Sequence, residues 1–427
     1  FRVLHNILGI TNRLKLDDAT MTPSVYPYLS SSKSLREKLL ENKIYVSRFW
    51  KHVLTNELAN KFEKDLAEYL IPLPIDQRYD EQDMQYIANI RRGLRIMINR
   101  QIMNNPQEKE LYNKFCTKTY IPIFSQPWWL DAVCGENNWG VHVIEKSGQF
   151  LGAMPYYVEH RNGYDIITKA HHSQNNGIIM CYLKDMKTVA KIDRQEEVIN
   201  TMCDYIESLG VDKYEQQYHY SFTNFLPFRW RGYNEMVRYT YVIEDTSDME
   251  KVVANFKYIV RNQIKKAEKI VTIKEGMEIE KFYEINKLSY DRQGIEVPFS
   301  MKLLNRIESA CVAHDCRKII YAEDEEKNIH SVAYLVWDDE SLYFLINGID
   351  TDFTWSQSNS LLIREAINTA HQLGKKFDFE GSVLQQIEHI FRGFGAEQKM
   401  YFRIYKSFNK DMDENKVNSW NRNVEVF

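Results

Sequence analysis

The chain has 427 residues, too many for one small core, and its length alone suggests two or three domains. Apolar residues make up 44% and charged residues 27%, and the net charge of -4 excludes a general pull toward DNA, so a polyanion would have to meet a local basic patch. No apolar run approaches the ~20 residues needed to span a bilayer, and six cysteines without a C-x-x-C pair read as reduced thiols of a cytoplasmic protein.

Phe1-Arg2-Val3-Leu4 reads as the middle of a structural element, so we expect a chain cut from a longer parent or exposed by cleavage. Residues 1–98 pattern as a small α/β piece. Its expected elements are a helix near Phe1 to Lys15, an extended Val25 to Leu29, a helix from Ser34 to Glu41 and a strand from Ile44 to Trp50. A helix from Asn60 to Tyr69, the run Ile71 to Tyr79 and a helix opened by Asp80 toward Arg95 complete it. Residues 99–118, with Asn104-Asn105-Pro106, form a linker.

Beyond the linker the same grammar occurs twice. In residues 119–245, strands Val141 to Lys146 and Phe150 to Tyr157 flank a Ser147-Gly148 turn, and Asn162-Gly163 turns the chain into Tyr164 to Thr168. A helix from Asp193 to Leu209 then stops at Gly210 before a strand from Lys213 to Tyr220. In residues 246–410, a meander of Ile319 to Glu323, Ile329 to Trp337 and Ser341 to Asn347 leads to a helix from Ser360 to Leu373, Gly374 and a strand from Lys376 to Ser382. Tyr401 to Tyr405 is the last strand and 411–427 a tail. The repeat implies a duplicated domain, and the fold class is α/β (α+β): two tandem halves with mixed sheets behind a small α/β domain.

The chemistry gathers on the strand after Gly374. Side chains alternate along a strand, so Phe377 and Phe379 should face a core while Asp378 and Glu380 share the opposite face. Two carboxylates that close raise one another's pKa, which suits a base, or a clamp for an ammonium or a sugar hydroxyl. A helix over Met249 to Lys269 carries Lys257, Arg261 and Lys265 at four-residue spacing, either a cradle for the phosphates of a nucleotide sugar or of tRNA, or a solvated face. In the polar run His171 to Gly177, Gln174 and Asn175 either read a sugar or bond their own loop. Tyr290 is a candidate proton donor, and Arg392, between Phe391 and Gly393, a bidentate partner for phosphate or carboxylate. No third ligand stands at metal-binding spacing from His171-His172, so no metal is expected.

Two resemblances extend this reading. The pairing of Asn42 to Trp50 with Ile71 to Tyr79 resembles the C-terminal small domain of DegT-type sugar aminotransferases. That family's Schiff-base lysine lies in a large domain upstream of anything present, so the resemblance implies no pyridoxal phosphate site, an inactive remnant, and a surface through which two chains would pair. Ser125 to Asp131, Gly152 to Tyr157, Lys257 to Ala267 with Arg261, Asn262 and Lys265, and Asp378 to Ser382 resemble the Fem-like branch of the GNAT acyltransferases. This implies tandem GNAT-fold halves and an N-acyltransferase. Its acceptor would be a nucleotide-linked amino sugar or another cell-envelope polysaccharide precursor, and its donor acyl-CoA, with Fem-type transfer from aminoacyl-tRNA as the alternative. A non-catalytic binding module is the reading from a different class. The usual glycine-bearing pyrophosphate loop is replaced by Asp352 to Ser360, which holds no glycine, so Ser358, Asn359 and Ser360 at the helix start are left as the phosphate ligands.

Overall fold

The structure, a computed structural model, describes the chain except residues 9–11, 15, 17–23, 31–33, 77, 81–82, 85, 89–104, 162–163, 292–293, 295, 382–384, 410–411 and 413–427. The Asn162-Gly163 turn, residues 99–104 of the linker, parts of the helices placed at 1–15 and 80–95, and almost all of the tail lie outside the described residues; the rest of the linker is largely a helix, Pro106–Cys116, with Tyr112 and Phe115 buried.

The chain divides into two units, 1–103 with 409–411, and 104–408 with 412–427. In the first, α1 (Arg2–Leu8), β1 (Val25–Leu29), α2 (Ser34–Glu41), α3 (Lys61–Tyr69) and β2 (Leu70–Pro74) surround Leu4, Tyr26, Tyr28, Leu39 and Leu73. β1 and β2 pair antiparallel. Asn60 and Glu63 cap α3 reciprocally, which stops it from fraying where a strand must follow. Residues 44–50, expected as a strand, make no ladder. Instead the buried Arg36 guanidinium collects the carbonyls of Val46, Ser47 and Leu70, satisfying backbone that β pairing would otherwise have used.

The second unit holds α4 (Pro106–Cys116), α5 (Pro127–Cys134), β3 (Trp139–Lys146), β4 (Gln149–Arg161), β5 (Tyr164–Thr168), β6 (Ile179–Met180), α6 (Thr188–Ser208), β7 (Lys213–Gln217), α7 (Leu226–Trp230) and β8 (Asn234–Ile243). It continues through α8 (Met249–Ala254), α9 (Tyr258–Ala267), β9 (Val271–Glu275), α10 (Ile279–Asp291), α11 (Met301–Ala313), β10 (Arg317–Asp324), β11 (Ile329–Trp337) and β12 (Ser341–Ile349). The last elements are α12 (Ser358–Leu373), β13 (Lys376–Asp378), α13 (Gln385–Gly393) and β14 (Glu397–Ser407). Among the described residues no helix is long and apolar enough to cross a membrane.

All of these strands join one mixed sheet in the order β3-β4-β5-β7-β14-β8-β13-β12-β11-β10-β9, with β6 beside β4. Each half is an antiparallel meander followed by a strand parallel to the meander's last: β5 with β7, and β12 with β13. Each half then sends its final strand across to the other. β8, from the first half, lies beside β13, while β14, from the second, lies beside β7. β8 and β14 pair antiparallel with each other from Asn234↔Tyr405 to Val242↔Glu397 and so bind the halves together. One core draws Trp129, Trp139, Phe282, Leu304, Tyr334 and Tyr343 from both halves, and another packs α8, α9 and α12 against Leu342, Phe377 and Phe379.

The helix expected as one piece over Met249 to Lys269 is two. It breaks at Asn255 so that Phe256 can turn into the core, and the Arg261 guanidinium closes the break on the carbonyls of Ala254 and Phe256. Lys257 is therefore the cap of α9 and not a member of a continuous stripe.

Candidate active site where β12 and β13 part

β13 accompanies β12 only from Ser341↔Lys376 to Tyr343↔Asp378, and β12 runs on to Ile349 beside β11, without β13. The strand expected to reach Ser382 stops at Asp378 because the chain next turns left-handed at Glu380 (φ 63°) and Gly381 (φ 70°). A Cβ on Gly381 would lie 2.2 Å from the Tyr239 carbonyl oxygen and 2.8 Å from Thr240 Cα, so only glycine fits this close pass over β8. Phe377 and Phe379 remain in the core, as the alternation implied, and Phe379 N–H still bonds the Tyr241 carbonyl at 3.0 Å. The turn leaves two carboxyl groups at the point where the strands separate.

Asp378 is fully buried. Its Oδ1 accepts hydrogen bonds from Thr240 Oγ1 at 2.6 Å, the Glu380 amide at 2.7 Å and Gln174 Nε2 at 3.4 Å. Its Oδ2 is buried and has no partner among the described residues. Burial pushes the Asp378 carboxyl up to about 6; the Thr240 hydroxyl, the Glu380 amide and Gln174 pull the other way, and Asp338 adds a small push up. Glu380 Oε1 is likewise buried and without a partner among the described residues. The Glu380 carboxyl is held well above the usual range, first by burial and then by the charge of Asp378, with Lys169 opposing. Both carboxyls are thus pushed upward by burial, but only Asp378 carries hydrogen bonds that favour its charged form, so the two environments differ.

Of the residues singled out in the sequence, the structure brings Gln174 and Asn175 to Asp378, across the boundary between the halves. Asn175 Nδ2 donates to Gln174 Oε1 at 3.1 Å, and Asn176 pins the loop by accepting from the Ala170 amide and donating to the Phe124 carbonyl. Tyr290 is buried on α10, where burial raises its phenol pKa and no carboxylate contributes. Arg392 pairs with Glu388 at 3.0 Å on the exposed side of α13. Arg261 is committed to the backbone of the α8–α9 break, and Asn262 and Lys265 are exposed on α9. Ser358, Asn359 and Ser360 do open α12, but each side chain is engaged within the protein: Ser358 Oγ accepts from Ser331, Asn359 Oδ1 accepts from Asn347, and Ser360 Oγ donates to Gln263. Sequence reasoning missed Thr240, which sits in strand β8 as an ordinary polar residue and carries no motif. Among the described residues no cluster of His, Cys, Asp and Glu is arranged to hold a metal.

Residues 254–384 match the family model described as Acetyltransferase (GNAT) domain. This match falls within the second half. The matched segment ends just past Asp378 and Glu380 and omits both crossing strands, β8 and β14. Among solved structures, the chain is similar to the crystal structure of FemX at 10% identity, covering 67% of this chain and 93% of that one with a TM-score of 0.52. It also aligns with L-PGS from Bacillus licheniformis at 10% identity, over 76% of this chain and 98% of that one, with a TM-score of 0.45. At such identities the FemX likeness speaks to fold, and it agrees with two GNAT-like halves joined in one mixed sheet. No curated protein matches the chain in sequence.

A GNAT domain of the familiar kind would seat a coenzyme A pyrophosphate at the start of α12. Here the three side chains at that place are already bonded internally, and the preceding turn, Thr351–Ser356, is a 3-10 helix whose Trp355 carbonyl is taken by Lys266 Nζ at 2.7 Å. Ser358 and Asn359 use their acceptor oxygens in these contacts, whereas Ser360 spends its hydroxyl proton on Gln263.

Proposed function

We propose that the protein is an N-acyltransferase in which Asp378 accepts the proton of an acceptor amine as that amine attacks an acyl carbonyl. The observation that carries this reading is the buried Oδ2 of Asp378, unpartnered among the described residues, on a carboxylate whose other oxygen accepts several hydrogen bonds. A buried carboxylate that leaves one oxygen unsatisfied is costly unless a ligand supplies the missing donor. An amine N–H supplies it, and the negative charge of the carboxylate then favours proton removal. Glu380, protonated beside it, is suited to donate to a second polar atom of the acceptor through its own unpartnered Oε1.

The acceptor is a nucleotide-linked amino sugar or a related envelope precursor, a reading that rests on the resemblance of residues 1–98 to sugar aminotransferase small domains, the makers of such amines. We read that region as a docking remnant without its own catalysis, and the protein as cytoplasmic. Acyl-CoA is the donor that a GNAT domain suggests. The glycine-free turn from Asp352 to Ser360 favours a second reading, Fem-type transfer from aminoacyl-tRNA, which needs no glycine-built pyrophosphate cradle there. In either case the donor supplies an activated carbonyl, and this chain's residues hold the amine and take its proton.

The test is a mass-spectrometric screen of the purified protein with acetyl-CoA or a charged tRNA pool as donor, against a panel of nucleotide-linked and free amino sugars. Product should form with one donor class and fall at least about 100-fold in Asp378→Asn, the usual scale for loss of a general base. An active wild type with an equally active Asp378→Asn would overturn the proton-acceptor role.

A further inference from the structure

Asp378 belongs to the second half, yet two of the side chains on it come from the first. Thr240 lies on the crossing strand β8 and Gln174 on the loop after β5; both are buried, Thr240 to 1% exposure and Gln174 to 8%. The polarity of this contact can be read atom by atom. Asn175 Nδ2 donates to Gln174 Oε1 at 3.1 Å, which turns the Gln174 amide so that its nitrogen faces the other way. That nitrogen donates to Thr240 Oγ1 at 3.3 Å and, more weakly, to Asp378 Oδ1. The Thr240 hydroxyl has a single proton, and it goes to Asp378 Oδ1 at 2.6 Å, because an ionised carboxylate can only accept and the Gln174 amide nitrogen can only donate. Donor follows donor in one direction, and hydrogen bonds so chained strengthen one another.

We propose that Thr240 is the positioning residue for Asp378, its hydroxyl oriented by Asn175 and Gln174 to hold Oδ1 in the charged state and leave Oδ2 as the atom that receives the proton. The inference rests on the reading of Asp378 as the reacting carboxylate, but its test does not depend on turnover. The other titratable groups facing Asp378 are Glu380 on its own turn, Asp338 at the turn before β12, Tyr343 on β12, Tyr220 after β7 and Tyr401 on β14, with Lys169 acting on Glu380. None of their side chains donates a hydrogen bond to Oδ1 among the described contacts, and the Glu380 backbone amide, which does, is untouched by the substitution, so removing the Thr240 hydroxyl leaves that field in place.

The experiment is a carbon-13 NMR titration of the full chain with labelled aspartate carboxyls, the Asp378 signal being assigned by its loss in Asp378→Asn. In the wild type it should titrate near 6. Thr240→Val removes a hydrogen bond that favours the anion, so the midpoint should rise by about one unit. Thr240→Ser restores the hydroxyl and should return it to within about 0.3 units of the wild type, a rescue that a purely structural role would not predict. Gln174→Met leaves the hydroxyl present but unoriented, and should shift the midpoint upward by less than Thr240→Val; it serves as the probe if the valine variant does not fold. An unmoved midpoint in the folded variants, or a serine variant displaced as far as valine, overturns the proposal. If the midpoints move as described while Asp378→Asn keeps full acyl transfer, the assigned function fails and the positioning role of Thr240 stands.

Discussion

Replacing Asp378 by asparagine should make the protein more stable at neutral pH while abolishing its chemistry. Asp378 has its pKa raised from 3.8 to about 6 because its charge is buried. A carboxyl whose folded pKa lies above its unfolded value contributes stability that is fully present below the unfolded pKa, near 4, and is lost as pH rises through the folded pKa, near 6. The displacement is about two units, and at about 1.4 kcal/mol per unit the charged aspartate costs up to about 3 kcal/mol above pH 6. The carboxamide introduced by Asp378→Asn is isosteric with the carboxylate, its oxygen can keep the bonds from Thr240 and the Glu380 amide, and it does not titrate. Removing the charge also relieves the upward push on Glu380, a change of the same sign. Urea unfolding followed by tryptophan fluorescence between pH 4.5 and 8 should show Asp378→Asn gaining on the wild type as pH rises, by about 2 kcal/mol over the range. The gain has the form expected where stability is given up for a reactive group. Parallel stability curves for the two proteins would mean that the carboxylate is not held in a charged, dehydrated state, and the argument for its reactivity would go with it.

Other outcomes follow from neighbouring geometry. Acyl transfer should rise with pH along a limb centred near 6, as Asp378 ionises, and a limb near 4 in the pH–rate profile would refute that assignment. Gly381→Ala forces a Cβ toward the Tyr239 carbonyl at a positive φ, and should cost more than about 2 kcal/mol in thermal unfolding and depress activity, because the carboxylate turn cannot pass β8. Arg261→Ala releases the Ala254 and Phe256 carbonyls and should lower stability by about 1 to 2 kcal/mol, with Arg261→Lys failing to restore it, since one ammonium cannot reproduce the planar fork. If Arg261→Ala instead weakened acceptor binding at unchanged stability, the phosphate-cradle reading of this residue would be the better one.

Much of the local order around the site was legible because it depends on near neighbours. The Phe377/Phe379 alternation placed two rings in a core and two acids opposite, and the helix–glycine–strand unit, repeated once, announced the duplication. What was not legible depends on distant chain. Nothing in Lys376 to Ser382 shows that the Tyr239 carbonyl will pass so close to residue 381 that only glycine fits there, or that the chain will turn left-handed at Glu380 and end β13 at Asp378. Thr240 and Asp378 are 138 positions apart, and a lone threonine in an apolar strand has no pattern to flag it. Ile44 to Trp50 has the aromatic and β-branched content of a strand, but strands form by pairing, and the Arg36 guanidinium takes the carbonyls. The break at Asn255 was hidden for the converse reason: no glycine or proline marks it, and the burial of Phe256 to 2% exposure outweighs helix continuity.

The exchange of strands bears on why the chain carries two halves at all. If each half kept its own last strand, β13 would lie beside β14, and Asp378 would be surrounded by the second half alone. Because β8 crosses instead, Thr240 reaches Asp378 Oδ1, and the loop carrying Gln174 closes over the same atom. The segment that matches the GNAT family model contains the carboxylates but neither of these donors. A buried carboxylate without donors reverts to its neutral form, and the first half adds the Thr240 and Gln174 donors to the one that the Glu380 amide supplies from the second. If Asp378 is the proton acceptor we propose, the duplication is part of the chemistry: the second half brings the acid, and the first helps to make it a base.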